Sequence, residues 1–99
     1  MARVAVDEVQ RQVDGITSEI KADPQAARGA LTAAREALGV AEKQLTGETQ
    51  EQLARAGAAI DDLQSEARAV ADGASIDDRA LRAAQAEYDD AAQRLAGLC

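Results

Sequence analysis

The chain contains no histidine, tryptophan or phenylalanine, and has one tyrosine, one cysteine and one proline among its 99 residues. Without histidine it lacks the side chain that most often serves as an acid–base catalyst or transition-metal ligand. The one cysteine, Cys99, excludes a disulfide within the chain. No basic neighbour in the sequence is placed to activate that thiol as a nucleophile. We therefore expect a protein that is not an enzyme and that holds no cofactor or metal.

Long apolar runs are also missing. No stretch approaches the roughly 18–20 apolar residues that span a bilayer. The first residues, Met1 to Val4, open no apolar segment of the kind found in cleaved secretory signals. We expect a cytoplasmic protein, or alternatively one that is exported without a cleaved signal peptide.

Positive charge is scarce, and the formal net charge is −7. Residues 1–46 carry seven acids and six bases, whereas residues 47–99 carry eleven acids and five bases. Binding to nucleic acid or to an anionic membrane depends on clustered Lys and Arg. We therefore expect a protein as partner, and neither nucleic acid nor a membrane.

What the sequence does have is apolar residues at alternating spacings of three and four, in four successive runs. This spacing keeps an apolar stripe on one side of an α-helix. We call the large residues of these stripes the predicted seam and expect them to pack helix against helix. They are Val6, Val9, Val13, Ile16, Ile20, Leu31, Leu38, Leu45, Leu53, Ile60, Leu63, Val70, Leu81, Tyr88, Leu95 and Leu98.

Capping and stop signals separate the four runs. Asp23 can cap a helix that begins at Pro24, since proline suits the first helical position. Gly47 fits the left-handed position after a helix, Thr49 begins a capping-box pattern, and Ser75 can cap the last helix. The predicted helices span about 2–21, 24–46, 50–72 and 76–98, with Gly15 as a weak point inside the first.

Four helices of similar length with short connections predict an all-α fold, an antiparallel four-helix up-down bundle in a single domain over residues 1–99. The alternative is an elongated helical hairpin, kinked at Pro24 and Gly73, that completes its core by dimerising. Alanine makes up much of the predicted core, and Tyr88 is its one aromatic residue. Because alanine buries little apolar area, either fold could gain stability from self-association.

Residues outside the seam allow two interpretations each. Asp61, Asp62, Asp89 and Asp90 could form a cation site or an acidic docking face, but a solvated helix surface is favoured. Within the seam, we expect Tyr88 to pack its ring in the core while its hydroxyl reaches the surface.

Other residues beside the seam are expected to be exposed. Gly29, Gly39 and Gly57 could mark a close helix approach or a flexible contact face, but tolerated glycines at exposed sites are favoured. Val4, Val40 and Ile76 could together widen a face for a partner, although isolated surface positions are favoured.

In length, helical content and acidic character, the chain resembles the WXG family of actinobacterial type VII secretion. The turn at residues 46–49 lies where the hairpin of that family turns. The resemblance implies an exported helical hairpin. The sequence has no Trp-x-Gly turn, and Ala92 occupies the acidic position of the Tyr-x-x-x-acid signal at Tyr88. No functional residue is carried over from the family.

The function we expect is a non-enzymatic interaction module that self-associates, for example as a homodimer, or binds a helical protein through its seam. One alternative is a type VII-like exported protein. Another is a carrier or substrate scaffold that uses Cys99, through modification or an interchain crosslink.

Overall fold

A computed structural model of the protein describes residues 2–98, which form five α-helices and no strand. The helices are α1 (Ala2–Asp14), α2 (Ile16–Ala22), α3 (Pro24–Glu42), α4 (Gly47–Ala71) and α5 (Asp78–Leu98). They pack into a body of 40 × 22 × 17 Å. At about 1.5 Å per residue, α4 alone runs nearly the full length of that body.

The four legs of the bundle are α1 with α2, α3, α4 and α5, and neighbouring legs are antiparallel. Between α3 and α4, Thr32 contacts Gln64 and Arg35 contacts Asp61, so the residue numbers run in opposite directions. The pairs Gln10–Asp89 and Lys21–Asp78 show the same for the first and last legs. The predicted all-α bundle is confirmed, and the chain does not form the alternative elongated hairpin.

The first leg is two helices rather than the single predicted helix 2–21. The break is at Gly15, whose backbone angles of φ −100° and ψ 4° leave the helical region. Glycine in a helix interior costs about 1 kcal/mol relative to alanine, and Gly15 is exposed, so no packing offsets that cost. Both halves still direct their stripe into the core, through Val13 on one side of the break and Ile16 on the other.

The first connection is the one that the sequence predicted. Asp23 accepts a hydrogen bond of 3.1 Å from the backbone N–H of Ala26. Pro24 occupies the first turn of α3. Proline has no N–H to leave unsatisfied there. Asp23 is the single residue between α2 and α3.

The second connection differs from the prediction in its position. The helix predicted over 24–46 ends at Glu42, and Leu45 leaves the helix to pack against the core. The helix predicted from 50 begins at Gly47, where φ is +63°. Thr49 forms no capping box, because its hydroxyl instead donates to the carbonyl of Thr46 at 2.7 Å.

The third connection ends α4 as expected but starts α5 later. Gly73 has φ +104°, and the N–H of Ala74 donates to the carbonyl of Ala69 at 2.9 Å, which is the Schellman arrangement. The cap of α5 is Asp77 rather than Ser75. Its carboxylate accepts a hydrogen bond of 3.0 Å from the first turn of that helix.

Candidate interaction surface

The predicted seam forms the core of the bundle, with one exception. Leu45 and Val70 are half-buried against this core. Leu98 is 41% exposed, so the prediction that it packs between helices is wrong. The fully packed seam residues are Val6, Val9, Val13, Ile16, Ile20, Leu31, Leu38, Leu53, Ile60, Leu63, Leu81, Tyr88 and Leu95.

Tyr88 is completely buried, and its hydroxyl does not reach the surface as expected. The hydroxyl donates to the carbonyl oxygen of Val6 at 2.8 Å, which joins the last helix to the first. Burial raises the pKa of the phenol well above its usual value, and the charges of Asp7, Asp89 and Asp14 raise it further. Tyr88 therefore remains neutral in the folded protein and serves as a structural hydrogen-bond donor.

Arg55 on α4 lies at the centre of a cluster of charged side chains. It donates to Glu87 at 2.9 Å and to Asp90 at 3.1 Å on α5, and to the buried side chain of Gln52 at 3.0 Å. Asp90 also accepts from Arg94. The two carboxylates raise the pKa of Arg55, and the hydrogen bond from Arg55 lowers the pKa of Asp90. Sequence reasoning singled out Asp90 but missed its contact with Arg55, because the two residues lie on different helices.

Two of the other acidic residues that the sequence singled out, Asp61 and Asp89, also contact neighbouring helices. Asp61 pairs with Arg35 at 3.1 Å, and Asp89 accepts a hydrogen bond of 2.6 Å from Gln10. Asp62 lies exposed on α4. Within residues 2–98, no three potential metal-ligating side chains come together. These contacts give Asp61 and Asp89 structural roles between helices.

Two expectations about residues beside the seam were wrong. Gly57 is buried beneath Arg35, and a Cβ atom built there would lie 2.8 Å from the guanidinium. Ile76 is half-buried and packs against the core. Val4 and Val40 are exposed as expected, at 57% and 60% of their surface.

A small cavity lies at one end of the bundle, which we call the open end. This end consists of the first turns of α1, the α3–α4 connection with the start of α4, and the last turns of α5. The cavity has a volume of about 90 Å³. Its lining is mostly apolar and comprises Val6, Leu45, Ala92, Leu95 and Ala96, with polar edges from Arg3, Asp7 and Thr49.

Leu98 belongs to the same open end. It follows Leu95 by three residues on α5 and thus continues the buried stripe of that helix by one more turn. Leu95 is 5% exposed and lines the cavity, whereas Leu98 is 41% exposed. The sequence shows this stripe. It does not show at which residue the other helices stop covering the stripe, because that depends on the lengths of all four legs.

Each helix within residues 2–98 is too short or too polar to span a lipid bilayer. No family model, curated protein or solved structure matches the chain. Cys99, the residue considered for modification or crosslinking, lies outside the described residues.

Proposed function

We propose that the protein is a non-enzymatic interaction module that binds another protein through its open end. The observation that carries this proposal is the exposed Leu98, which continues a buried apolar stripe beside an apolar cavity. Much of the binding energy of protein interfaces comes from a few side chains that fill well-packed, desolvated pockets of the partner.

The seam is not the surface that we propose for binding. Its large side chains are already packed within one chain, and Leu31, Leu38, Leu53, Ile60 and Leu63 have no exposed surface. A partner that used them would have to open the bundle. The open end, by contrast, offers Leu98 and the cavity without unfolding.

The volume of the cavity argues for a side chain rather than a cofactor as its occupant. Pockets for drug-sized ligands and cofactors measure about 300–1,000 Å³, and an engineered cavity of about 150 Å³ accommodates benzene. The present cavity of about 90 Å³ is smaller than both. An aliphatic side chain suits that volume better than an aromatic ring does.

Position-specific photocrosslinking tests the proposal. An aliphatic diazirine amino acid, close to leucine in shape and polarity, replaces Leu98 in one variant and Ala86 in a matched control, since both positions are exposed on α5. Ala86 lines no part of the cavity. After irradiation of cells that produce the protein, a protein adduct is expected at position 98 and not at 86. Equal adducts at both positions, or none at 98, would contradict binding at the open end.

A further inference from the structure

We infer that α1 is a hinged strap, which turns about Gly15 and releases its contacts with the bundle while α2 to α5 stay folded. This movement opens and closes the cavity at the open end, because α1 supplies part of the cavity wall through Arg3, Val6 and Asp7. The movement itself does not depend on the proposed function, whereas its control of binding at the open end rests on that function.

The hinge is the break in the first leg. Gly15 has φ −100° and ψ 4°, outside the helical region, and a Cβ atom built there would have no packed neighbour within 4 Å. Glycine also has more backbone freedom than any other residue. The backbone at Gly15 can therefore turn without displacing a packed side chain.

Apolar packing holds α1 less firmly than it holds α2, the helix on the other side of the hinge. The buried apolar residues of α1 are three valines, Val6, Val9 and Val13, in a helix of 13 residues. In contrast, α2 buries the larger Ile16 and Ile20 in only 7 residues. Since the free energy of burial grows with apolar area, α2 is held more tightly for its length and stays in place when α1 leaves.

The polar contacts that hold α1 lie in one row against α5. Within residues 2–98, each side-chain hydrogen bond between α1 and another helix goes to α5. The three bonds run from Tyr88 to the carbonyl of Val6 and from Gln85 to the carbonyl of Val13, both at 2.8 Å, and from Gln10 to Asp89 at 2.6 Å. Water replaces the lost partners when α1 leaves, so the net contribution of each bond is modest. The ion pair of Lys21 with Asp78 keeps α2 on α5.

The cavity lies at the end of α1 that is farthest from the hinge. Arg3 is about 18 Å from Gly15 along the helix, at about 1.5 Å per residue, so a rotation at the hinge displaces this end most. Val6 on α1 and Leu95 on α5 both line the cavity, and they separate as α1 turns away. An apolar side chain that fills the cavity contacts both helices and therefore favours the closed strap.

Native-state hydrogen exchange of the full chain, followed by nuclear magnetic resonance, tests the strap. A helix of 13 residues is marginal on its own in water, so a released α1 exchanges its amides. We expect the amides of α1 to be at least tenfold less protected than the slowest amides of α3, α4 and α5, which exchange only on global unfolding. Equal protection would show that α1 opens only with the whole bundle and would overturn the inference.

Two core variants, one on each side of the hinge, sharpen this test. Val9→Ala removes a contact that is lost when α1 opens, so it should speed the exchange of α1 about tenfold. Ile20→Val is the matched control, because it weakens a contact that is kept when α1 opens alone. It should speed the slowest amides of α3, α4 and α5 several-fold and leave α1 unchanged. Faster exchange of α1 in Ile20→Val would mean that α1 and α2 open together, against a hinge at Gly15.

A leucine built at the cavity tests whether an occupant closes the strap. Ala96 is exposed and lines the cavity, so Ala96→Leu places an aliphatic side chain at its edge. This variant should slow the exchange of α1 several-fold. The control Ala86→Leu, at an exposed position of α5 away from the cavity, should leave the exchange of α1 unchanged. An Ala96→Leu variant that exchanges like the control would contradict the coupling between cavity and strap.

Failure of the strap and failure of the open end as a binding surface are distinguishable. Uniform exchange across the helices overturns the strap and leaves binding at the open end to be decided by the position-98 crosslink. Absence of that crosslink overturns the proposed function, whereas local exchange of α1 would still establish the strap.

Discussion

Removing one hydroxyl group, in Tyr88→Phe, should destabilise the bundle measurably. The hydroxyl is buried and donates at 2.8 Å to the carbonyl of Val6. That carbonyl belongs to α1 and also accepts the helical hydrogen bond. Tyr88→Phe therefore leaves the carbonyl with one hydrogen bond rather than with none. We expect a decrease of about 1 kcal/mol in the free energy of unfolding. In a domain of this size, that lowers the melting temperature by about 4–8 °C.

The same variant should change the pH dependence of stability on the alkaline side. Burial raises the pKa of Tyr88 in the folded state above its value of about 10 in the unfolded chain. A group whose pKa is raised by folding contributes stability that is fully present below the unfolded pKa. That contribution is lost as the pH rises from about 10 towards the folded pKa. The stability of the wild type should therefore fall above about pH 10, and that of Tyr88→Phe should fall less steeply.

The sequence makes the assay unusually direct, because Tyr88 is the only aromatic residue. Tyrosinate absorbance reports on this one phenol, while far-ultraviolet circular dichroism reports on the helices. In the wild type, tyrosinate should appear only together with loss of helix, and in denaturant it should appear near pH 10. Tyrosinate that forms near pH 10 in a fully helical protein would refute the buried position of Tyr88. An unchanged melting temperature for Tyr88→Phe would refute its hydrogen bond to Val6.

Three further predictions concern glycines, caps and the charged cluster. Gly29→Ala should stabilise the protein by about 0.5–1 kcal/mol in urea unfolding, because nothing lies near the added Cβ. Gly57→Ala should stabilise the protein less or not at all, because its Cβ would lie 2.8 Å from a guanidinium of α3. Asp23→Ala should cost about 1 kcal/mol by the same method, whereas Ser75→Ala should cost little, and equal losses would contradict the assigned caps. Asp90→Asn should make stability fall less steeply as the pH drops, since the arginine on α4 lowers the pKa of that carboxyl in the folded state. A depressed pKa contributes stability that is lost on acidification, so thermal melts across acidic pH with an unchanged slope would argue against this pairing.

Most of the fold could be predicted from helical periodicity and from residues that act on the backbone beside them. The alternation of three and four residues determines which side of a helix is apolar, and it identified core residues such as Leu38, Leu63 and Leu81. The turn at Asp23 and Pro24 was predictable because both residues act on the backbone next to them.

The helix ends at residues 43–50 were less predictable, because several signals compete there. Thr46, Gly47 and Thr49 can each take part in a helix start, and the choice depends on Leu45 reaching the core. A hydroxyl that bonds locally to a carbonyl satisfies the backbone as well as a cap does. Packing of a seam residue that lies outside any helix therefore decided the boundary.

The candidate surface depended on register between helices, which single-helix patterns do not contain. Gly57 is buried because Arg35 of another helix lies over it. Leu98 is exposed where its helix reaches the open end, and Ala92 and Ala96 line the cavity there. These features become visible only when the relative positions of the legs are known.

One nuclear magnetic resonance experiment tests whether the bundle closes within one chain. An isotope-filtered nuclear Overhauser spectrum of mixed labelled and unlabelled protein detects only contacts between copies. The contact of Tyr88 with Val6 should appear in the ordinary spectrum and be absent from the filtered one, since it lies within one chain. A filtered Tyr88–Val6 signal would contradict this structure of the protein.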